Sequence, residues 1–319
     1  MKRRKFIQLT AVTAPMLSVF PADLSAINRT LIKGEMEKRE YGSTGEMLSV
    51  LGFGGVVLMD VAPEKASEYV CKAIDKGINY FDVAPTYGNA ESIMGPALEP
   101  YRKDVFLACK TTKRTAVEAQ SELEQSLKFL KTDHFDLYQF HAVTTVDEVE
   151  TIFSRGGAVE TFEKARKDGI IKYIGFSAHS VEAALALLDK FKFDSILFPV
   201  NYTCWHKGSF GPQVLEKAKA QGAAILALKS MAKGPWPEGA EKIPKCWYEP
   251  LTNPDEALQA LNFTLSHPVT AAIPPGNEDL YFMALDLIDQ FSPLDEEEML
   301  AIKEKAMAGK PLFKFPMEG

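Results

Sequence analysis

The chain has 319 residues, 46% of them hydrophobic and 25% charged, with 21 Gly and 19 Pro, which excludes collagenous, disordered and disulfide-stapled classes. Its formal charge of −7 argues against a surface built to coat nucleic acid, which needs clustered Lys and Arg to release counterions. Cys71, Cys109, Cys204 and Cys246 lie far apart with no C-x-x-C pair, so they read as free thiols rather than as zinc or iron–sulfur ligands.

The N-terminus differs from the rest. Lys2-Arg3-Arg4-Lys5 is followed by Phe6-Ile7 and an uncharged stretch to Phe20, the order of a cationic and then an apolar region in an export signal. Arg3-Arg4-Lys5-Phe6-Ile7 also fits the twin-arginine pattern, which sends folded proteins through a dedicated export machinery. The stretch is too short to span a membrane. Residues 1–26 are therefore assigned to the signal, with Ala26 as the best cleavage candidate, and residues 27–36 to a linker. Cleavage there takes the charge from −7 to −10. The alternative is a basic tail on a cytoplasmic protein.

From Glu37 to Val50 a Gly42-Ser43-Thr44-Gly45 turn between two short strands predicts a hairpin. Beyond it, short apolar runs alternate with amphipathic stretches, the pattern of successive βα units. Strands are expected to begin at Leu51, Asn79, Asp104, Phe135, Ile171, Ser195, Ala223 and Val269. Helices are expected near 64–77, 90–99, 115–130, 147–168, 180–192, 212–221, 254–267 and 278–291. In the third, Ala119, Leu123, Leu127 and Leu130 share a face, with Glu122, Glu124 and Lys128 on the wet side. A last helix over 294–307 turns Met299, Leu300 and Ile302 inward. Eight units over residues 37–319 predict an α/β fold, a (β/α)8 TIM barrel. An open doubly wound sheet is the rival, but Gly52-Phe53-Gly54-Gly55 does not complete the glycine-rich dinucleotide turn.

A barrel places its chemistry at the C-terminal ends of the strands. Strand 2 ends in Asp82, with Tyr87 in the following loop; strand 3 ends in Lys110 and strand 4 in His141. Singly, an Asp or Lys at a strand end is usually a surface group, and a His beside Phe140 a hydrogen-bonded core residue. Together they form a proton-donating site. A lysine beside a phenol favours the phenolate and pulls the tyrosine pKa down from about 10, while an aspartate keeps that lysine charged and in place.

The run Phe81-Asp82-Val83-Ala84-Pro85-Thr86-Tyr87-Gly88-Asn89-Ala90-Glu91, followed by Lys110 and His141, resembles the aldo-keto reductases over about residues 37–291. The resemblance implies a (β/α)8 barrel whose N-terminal hairpin closes the bottom, and an NAD(P)H-dependent oxidoreductase acting on a carbonyl or alcohol. By position, Tyr87 would be the general acid, Lys110 would lower its pKa, Asp82 would hold Lys110, and His141 would orient the carbonyl. Ser177 would bind the nicotinamide carboxamide. Ala178, Leu197 and Leu228 stand where the family has an asparagine, a glutamine and a tyrosine, leaving Trp205 or Tyr202 to stack on the ring. Lys229 and Ser230 would hold the pyrophosphate, in a loop that also carries Lys233 and Gly234. Gly276 and Asn277 belong to the adenosine-binding segment, Ile273 to Asp279. That segment lacks a Lys or Arg for a 2′-phosphate and carries Glu278 and Asp279, so NAD is more plausible than in typical members, with Lys229 or Lys233 as compensating cations.

Residues 235–252 form a Pro- and aromatic-rich loop at the same rim, read as a lid presenting Trp236 or Trp247, or as a packed flap. Two other functions compete. A nicotinamide-binding sensor or partner protein with little turnover would account for the departures at the carboxamide. A Schiff-base lyase would use Lys110 as a nucleophile, although Asp82 raises a lysine pKa, the wrong direction. No H-x-H or H-E-x-x-H spacing supports a metal site. Export to the periplasm implies a cofactor loaded before transport and kept.

Overall fold

The computed structural model describes residues 36–316; the export signal (1–26) and all but the last residue of the linker lie outside the described residues. Met36, that last linker residue, is buried and packs on Gly77.

The hairpin forms as expected. Strand β1 (Lys38–Glu40) pairs antiparallel with β2 (Met47–Ser49), Arg39 opposite Leu48. The turn needs Gly42, which has φ +60° and passes so close to Gly222 that a Cβ would lie 2.7 Å from its carbonyl oxygen. Tyr41 and Leu48 point into the barrel, where the Tyr41 ring lies 5.0 Å from Phe106 and 5.2 Å from Tyr173. The Arg39 guanidinium donates to the carbonyls of Leu265 and Val269, 2.8 Å each, and so anchors the plug to the chain entering the last barrel strand.

The barrel strands follow: β3 (Phe53–Gly54), β4 (Tyr80–Asp82), β5 (Phe106–Thr111), β6 (Phe135–Val143), β7 (Ile171–Ala178), β8 (Ser195–Pro199) and β9 (Ala224–Leu228). A small antiparallel pair, β10 (Ala232–Gly234) and β11 (Glu249–Pro250), brackets the long loop, and β12 (Ala271–Ala272) is the eighth barrel strand. Each barrel strand pairs in parallel with its neighbour, from β3 through β9 to β12. Leu51 bridges Ala272 in parallel, and the amide of Gly52 donates to Ala272 O at 2.9 Å, so first and last strands meet and the ring closes.

Strand alternation sorts the side chains. On β6, Leu137 and Gln139 face the interior while Tyr138 and Phe140 stack outward on Phe162, 4.9 and 4.0 Å between ring centres. On β5, Phe106, Ala108 and Lys110 face inward and Leu107 and Cys109 outward. Both faces are covered, which is why these strands are apolar nearly throughout.

The outer layer is α1 (Pro63–Asp75), α2 (Ala90–Leu98), α3 (Ala116–Phe129), α4 (Val146–Phe153), α5 (Ala158–Lys167), α6 (Val181–Lys190), α7 (Tyr202–His206), α8 (Pro212–Ala220), α9 (Pro254–Leu265), α10 (Glu278–Leu287) and α11 (Glu296–Ala308). The helix expected over 147–168 is two. A capping box between Thr145 and Glu148 starts α4, and the chain breaks at Ser154–Gly157, where Gly156 has φ +77° and a Cβ on Gly157 would lie 2.2 Å from Ile152 O. On α3, Glu122 is half-buried rather than wet, its carboxylate accepting from the Thr111 hydroxyl. On α11, Ile302 is buried but Leu300 is 61% exposed, so the inward face is narrower than its apolar residues indicated. The four cysteines are free.

Candidate active site

Alternation carries Asp82, Lys110 and His141 to the inside of adjacent strands, and the loop after β4 brings Tyr87 over them. The Lys110 ammonium pairs with Asp82 Oδ1 and donates to Val83 O at 3.1 Å and to the Tyr87 hydroxyl at 3.5 Å. The four residues expected at the rim are therefore neighbours. Asp82 has further support that the sequence reading missed: its Oδ2 accepts from the Tyr80 hydroxyl at 3.1 Å and from Gln139 Nε2 at 3.0 Å. The signal was available, since Tyr80 lies two before Asp82 and Gln139 two before His141, on the same inward parity.

His141 stands on a bulge between Phe140 and Val143. Its carbonyl accepts from Arg114 at 2.7 Å; the next residue, Ala142, has φ +51° and its amide donates to Ser177 Oγ at 2.7 Å. Arg114 is held in turn by Glu148 at 2.9 Å. The His141 ring meets Tyr87 edge-on, 5.7 Å between centres, and its Nδ1 is 3.4 Å from Thr86 Oγ1.

The electrostatics differ in one respect from expectation. Burial raises the Tyr87 pKa more than the Lys110 ammonium lowers it, so the phenol holds its proton firmly. Burial, the largest single effect, would lower the Lys110 pKa, but Asp82 and Tyr87 together outweigh it and the ammonium persists, which disfavours the nucleophilic amine of a Schiff-base lyase. Burial, and then the charge of Lys110, pushes His141 well below its usual value, so the imidazole is neutral.

Asp82, Tyr87 and His141 line a cavity of about 470 Å³. Ser177, Lys229 and Gly276 line it as well; Ser230 and Asn277 do not. Ser230 is buried, its hydroxyl without a partner among the described residues. The Asn277 side chain caps α10 by accepting from Leu280 N. Leu197 and Leu228 give the wall where polar and aromatic contacts were missing from the sequence. Tyr202 and Trp205 do not replace them: Asn201 caps α7 and turns both rings onto Phe263, outside the cavity. The aromatic lining comes instead from Trp247 and Tyr248 in the long loop and Phe313 in the C-terminal tail. Trp236 ties the loop together, its indole N–H donating to Cys246 O at 3.0 Å.

The tail has no sequence signal of its own. Lys207 holds the carbonyls of Met307 and Gly309, and Phe313 stacks on His179 with 5.3 Å between ring centres.

Lys229, at φ +66°, lies under Tyr248 with its ammonium 5.0 Å from the ring centre and no ion-pair partner among the described residues. Burial lowers its pKa to about 8. Lys233 is not available in the same way, being paired with Glu249 at 2.5 Å. Glu278 is not a bare repulsive charge: Lys245, which the sequence reading passed over, pairs with it at 2.7 Å and donates to Val57 O at 2.9 Å. The Lys229 ammonium on the cavity wall, without an ion-pair partner among the described residues, fits the diphosphate of a dinucleotide, and the Leu-lined end fits a flat ring.

The aldo/keto reductase family model matches residues 50–263. The uncharacterized oxidoreductase YqkF of Bacillus subtilis is 27% identical over 276 residues, 76% of this chain and 87% of its own. The aldo-keto reductase YhdN of the same organism is 34% identical over 220 residues, 62% of this chain and 63% of its own. Among solved structures, the holo form of aldo-keto reductase AKR11C1 from Bacillus halodurans matches with a TM-score of 0.69 at 23% identity, covering 88% of this chain and 99% of that one. An eight-stranded parallel barrel with a titratable cluster at its C-terminal mouth is the architecture of an enzyme of the TIM-barrel class. The chain belongs to the aldo/keto reductase family, whose members are generally NAD(P)H-dependent oxidoreductases.

Proposed function

We propose that this protein interconverts a small-molecule carbonyl and its alcohol, with Tyr87 as general acid and base. The observation that carries the reading is the single Lys110 ammonium shared by the Asp82 carboxylate and the Tyr87 hydroxyl at the barrel mouth. NAD(P)H bound in the cavity supplies the hydride. Neutral His141 orients the carbonyl by a hydrogen bond. Tyr87 gives its proton to the carbonyl oxygen as that atom gains negative charge, and Lys110 stabilises the phenolate left behind. Burial keeps the Tyr87 phenol protonated, and the charge of Lys110 offsets part of the cost of forming the phenolate. Asp82 keeps Lys110 charged and aimed.

Lys229 is assigned to the cofactor diphosphate, Gly276 to its adenosine side and the Ser177 hydroxyl to the carboxamide; Ser230 and Asn277, which do not line the cavity, are left without a cofactor contact. Ser177 Oγ accepts from Ala142 and keeps its own hydrogen to donate. The test is a titration of NADH and NADPH by nicotinamide fluorescence, followed by turnover of an aldehyde panel. Saturable binding with turnover supports the reading; binding without turnover across the panel selects a sensor instead.

Residues 1–26 are read as a twin-arginine signal that carries the folded, cofactor-loaded chain to the periplasm, on the strength of Arg3-Arg4 and the uncharged stretch behind them. Mass spectrometry of periplasmic protein tests this: a new N-terminus near residue 27 with nucleotide retained supports it, and an intact Met1 in a cytoplasmic fraction overturns it.

A further inference from the structure

We infer that Gln139 is a positioning residue for the catalytic cluster, an inference that rests on the reductase reading and deepens it. Gln139 sits beside Lys110 on the next strand, in direct register, and is fully buried. Its Nε2 donates to Asp82 Oδ2 at 3.0 Å, while Lys110 takes Oδ1. A carboxylate gripped on both oxygens cannot rotate. Tyr80 supports the same oxygen at 3.1 Å, but it reaches Asp82 from two residues back on the same strand. Gln139 is the neutral donor from two strands away, and it ties strand β6, which carries His141, to strand β4, which carries Asp82.

The amide must face the right way for this. Reversed, it would set a carbonyl oxygen against a carboxylate. Gln139 Oε1 is buried without a protein partner among the described residues, and so are Ser195 Oγ and the Tyr41 hydroxyl. Gln139, Gly175 and Ser195 form one register row around the barrel. A Cβ on Gly175 would lie 2.6 Å from Ser195 Oγ, so the glycine leaves room on that side of the row. The charged and titratable groups that Gln139 meets are Asp82 on β4, which also accepts from Tyr80, and Lys110, its register partner on β5.

The test compares Gln139→Met and Gln139→Glu with the unmodified full chain, using 4-nitrobenzaldehyde and the preferred nicotinamide cofactor. Gln139→Met is expected to lower kcat at least tenfold, with KM and cofactor Kd within twofold. Gln139→Glu donates to Asp82 only when protonated, so its kcat is expected to approach that of the unmodified chain at pH 5.5. It should fall as pH rises, a limb the unmodified chain lacks. A structural role alone would not produce that limb. Unchanged kcat in both variants, or a change confined to KM, overturns the inference. If the unmodified chain reduces no carbonyl, the reductase reading fails by itself. Crystal structures of the chain and of Gln139→Met then decide the positioning role. A rotated Asp82 carboxylate with Lys110 drawn away from Tyr87 supports it, and an unmoved Asp82 overturns it.

Discussion

The carbonyl of His141 accepts a 2.7 Å hydrogen bond from Arg114, and Arg114 is held by Glu148, the residue that closes the capping box of α4. An ion pair outside the barrel thus fixes the backbone of a residue inside its mouth. Arg114→Met is expected to lower kcat/KM for a carbonyl substrate about tenfold, a loss of about 1.4 kcal/mol in transition-state binding, with cofactor Kd unchanged. Arg114→Lys should recover part of it. Equal activity in all three forms would show that the bulge holds without the guanidinium.

Tyr87→Phe removes the hydroxyl proposed as the proton donor and leaves the ring against His141. Turnover is expected to fall by about 10²–10⁴, the usual worth of a general acid, while fluorescence titration shows cofactor binding intact. Retained turnover would move the acid role elsewhere.

Lys110→Met strands the buried Asp82 carboxylate without its cation. Such half-broken pairs cost about 3–5 kcal/mol, whereas replacing both partners is far milder. Urea denaturation of Lys110→Met and of the double variant with Asp82→Asn should therefore show the double variant as the more stable. The reverse order would mean that Tyr80 and Gln139 alone support the carboxylate.

Because burial lowers the Lys229 pKa to about 8, its charge is present below that pH and lost above it. Cofactor affinity measured from pH 6.5 to 9.5 is expected to weaken as pH rises through 8. Lys229→Gln should bind more weakly at low pH and lose the pH dependence. A flat profile in the unmodified chain would remove Lys229 from the diphosphate site.

His267, stacked on Trp205 at 4.2 Å, has its pKa lowered by burial to about 4, as does His179. A depressed histidine contributes stability that is present above its unfolded pKa of about 6.5 and is lost as pH falls toward the folded value, because the unfolded chain binds the proton and the folded chain does not. Glu91 and Asp194, raised by burial, act in the opposite direction, so the histidine contribution is best read by difference. At pH 5 the slope of unfolding free energy against pH should shrink by about one proton in His267→Phe. An unchanged slope would mean that His267 protonates in the folded state.

Much of this was legible in the chain itself. The eight strand starts fall within two residues of expectation, and Asp82, Tyr87, Lys110 and His141 meet as the strand-end rule placed them. The single helix over 147–168 failed because it runs through Gly156-Gly157, where φ +77° at Gly156 and the close approach of Gly157 to Ile152 O make a break. Trp205 or Tyr202 was expected at the ring, but aromatic content says nothing of direction, and both rings on α7 turn onto Phe263.

Hydrophobic periodicity and turn chemistry are local, so the sequence by itself determined the order of elements, the inward parity of each strand and the residue types at the mouth. Closure of the barrel decided the rest. It set Gln139 and Tyr80 on Asp82, Lys245 on Glu278, and Phe313 of the tail against His179. It also decided the direction of the Tyr87 pKa, since the cost of burying a phenolate depends on everything packed around it and not on the one lysine that spacing predicts.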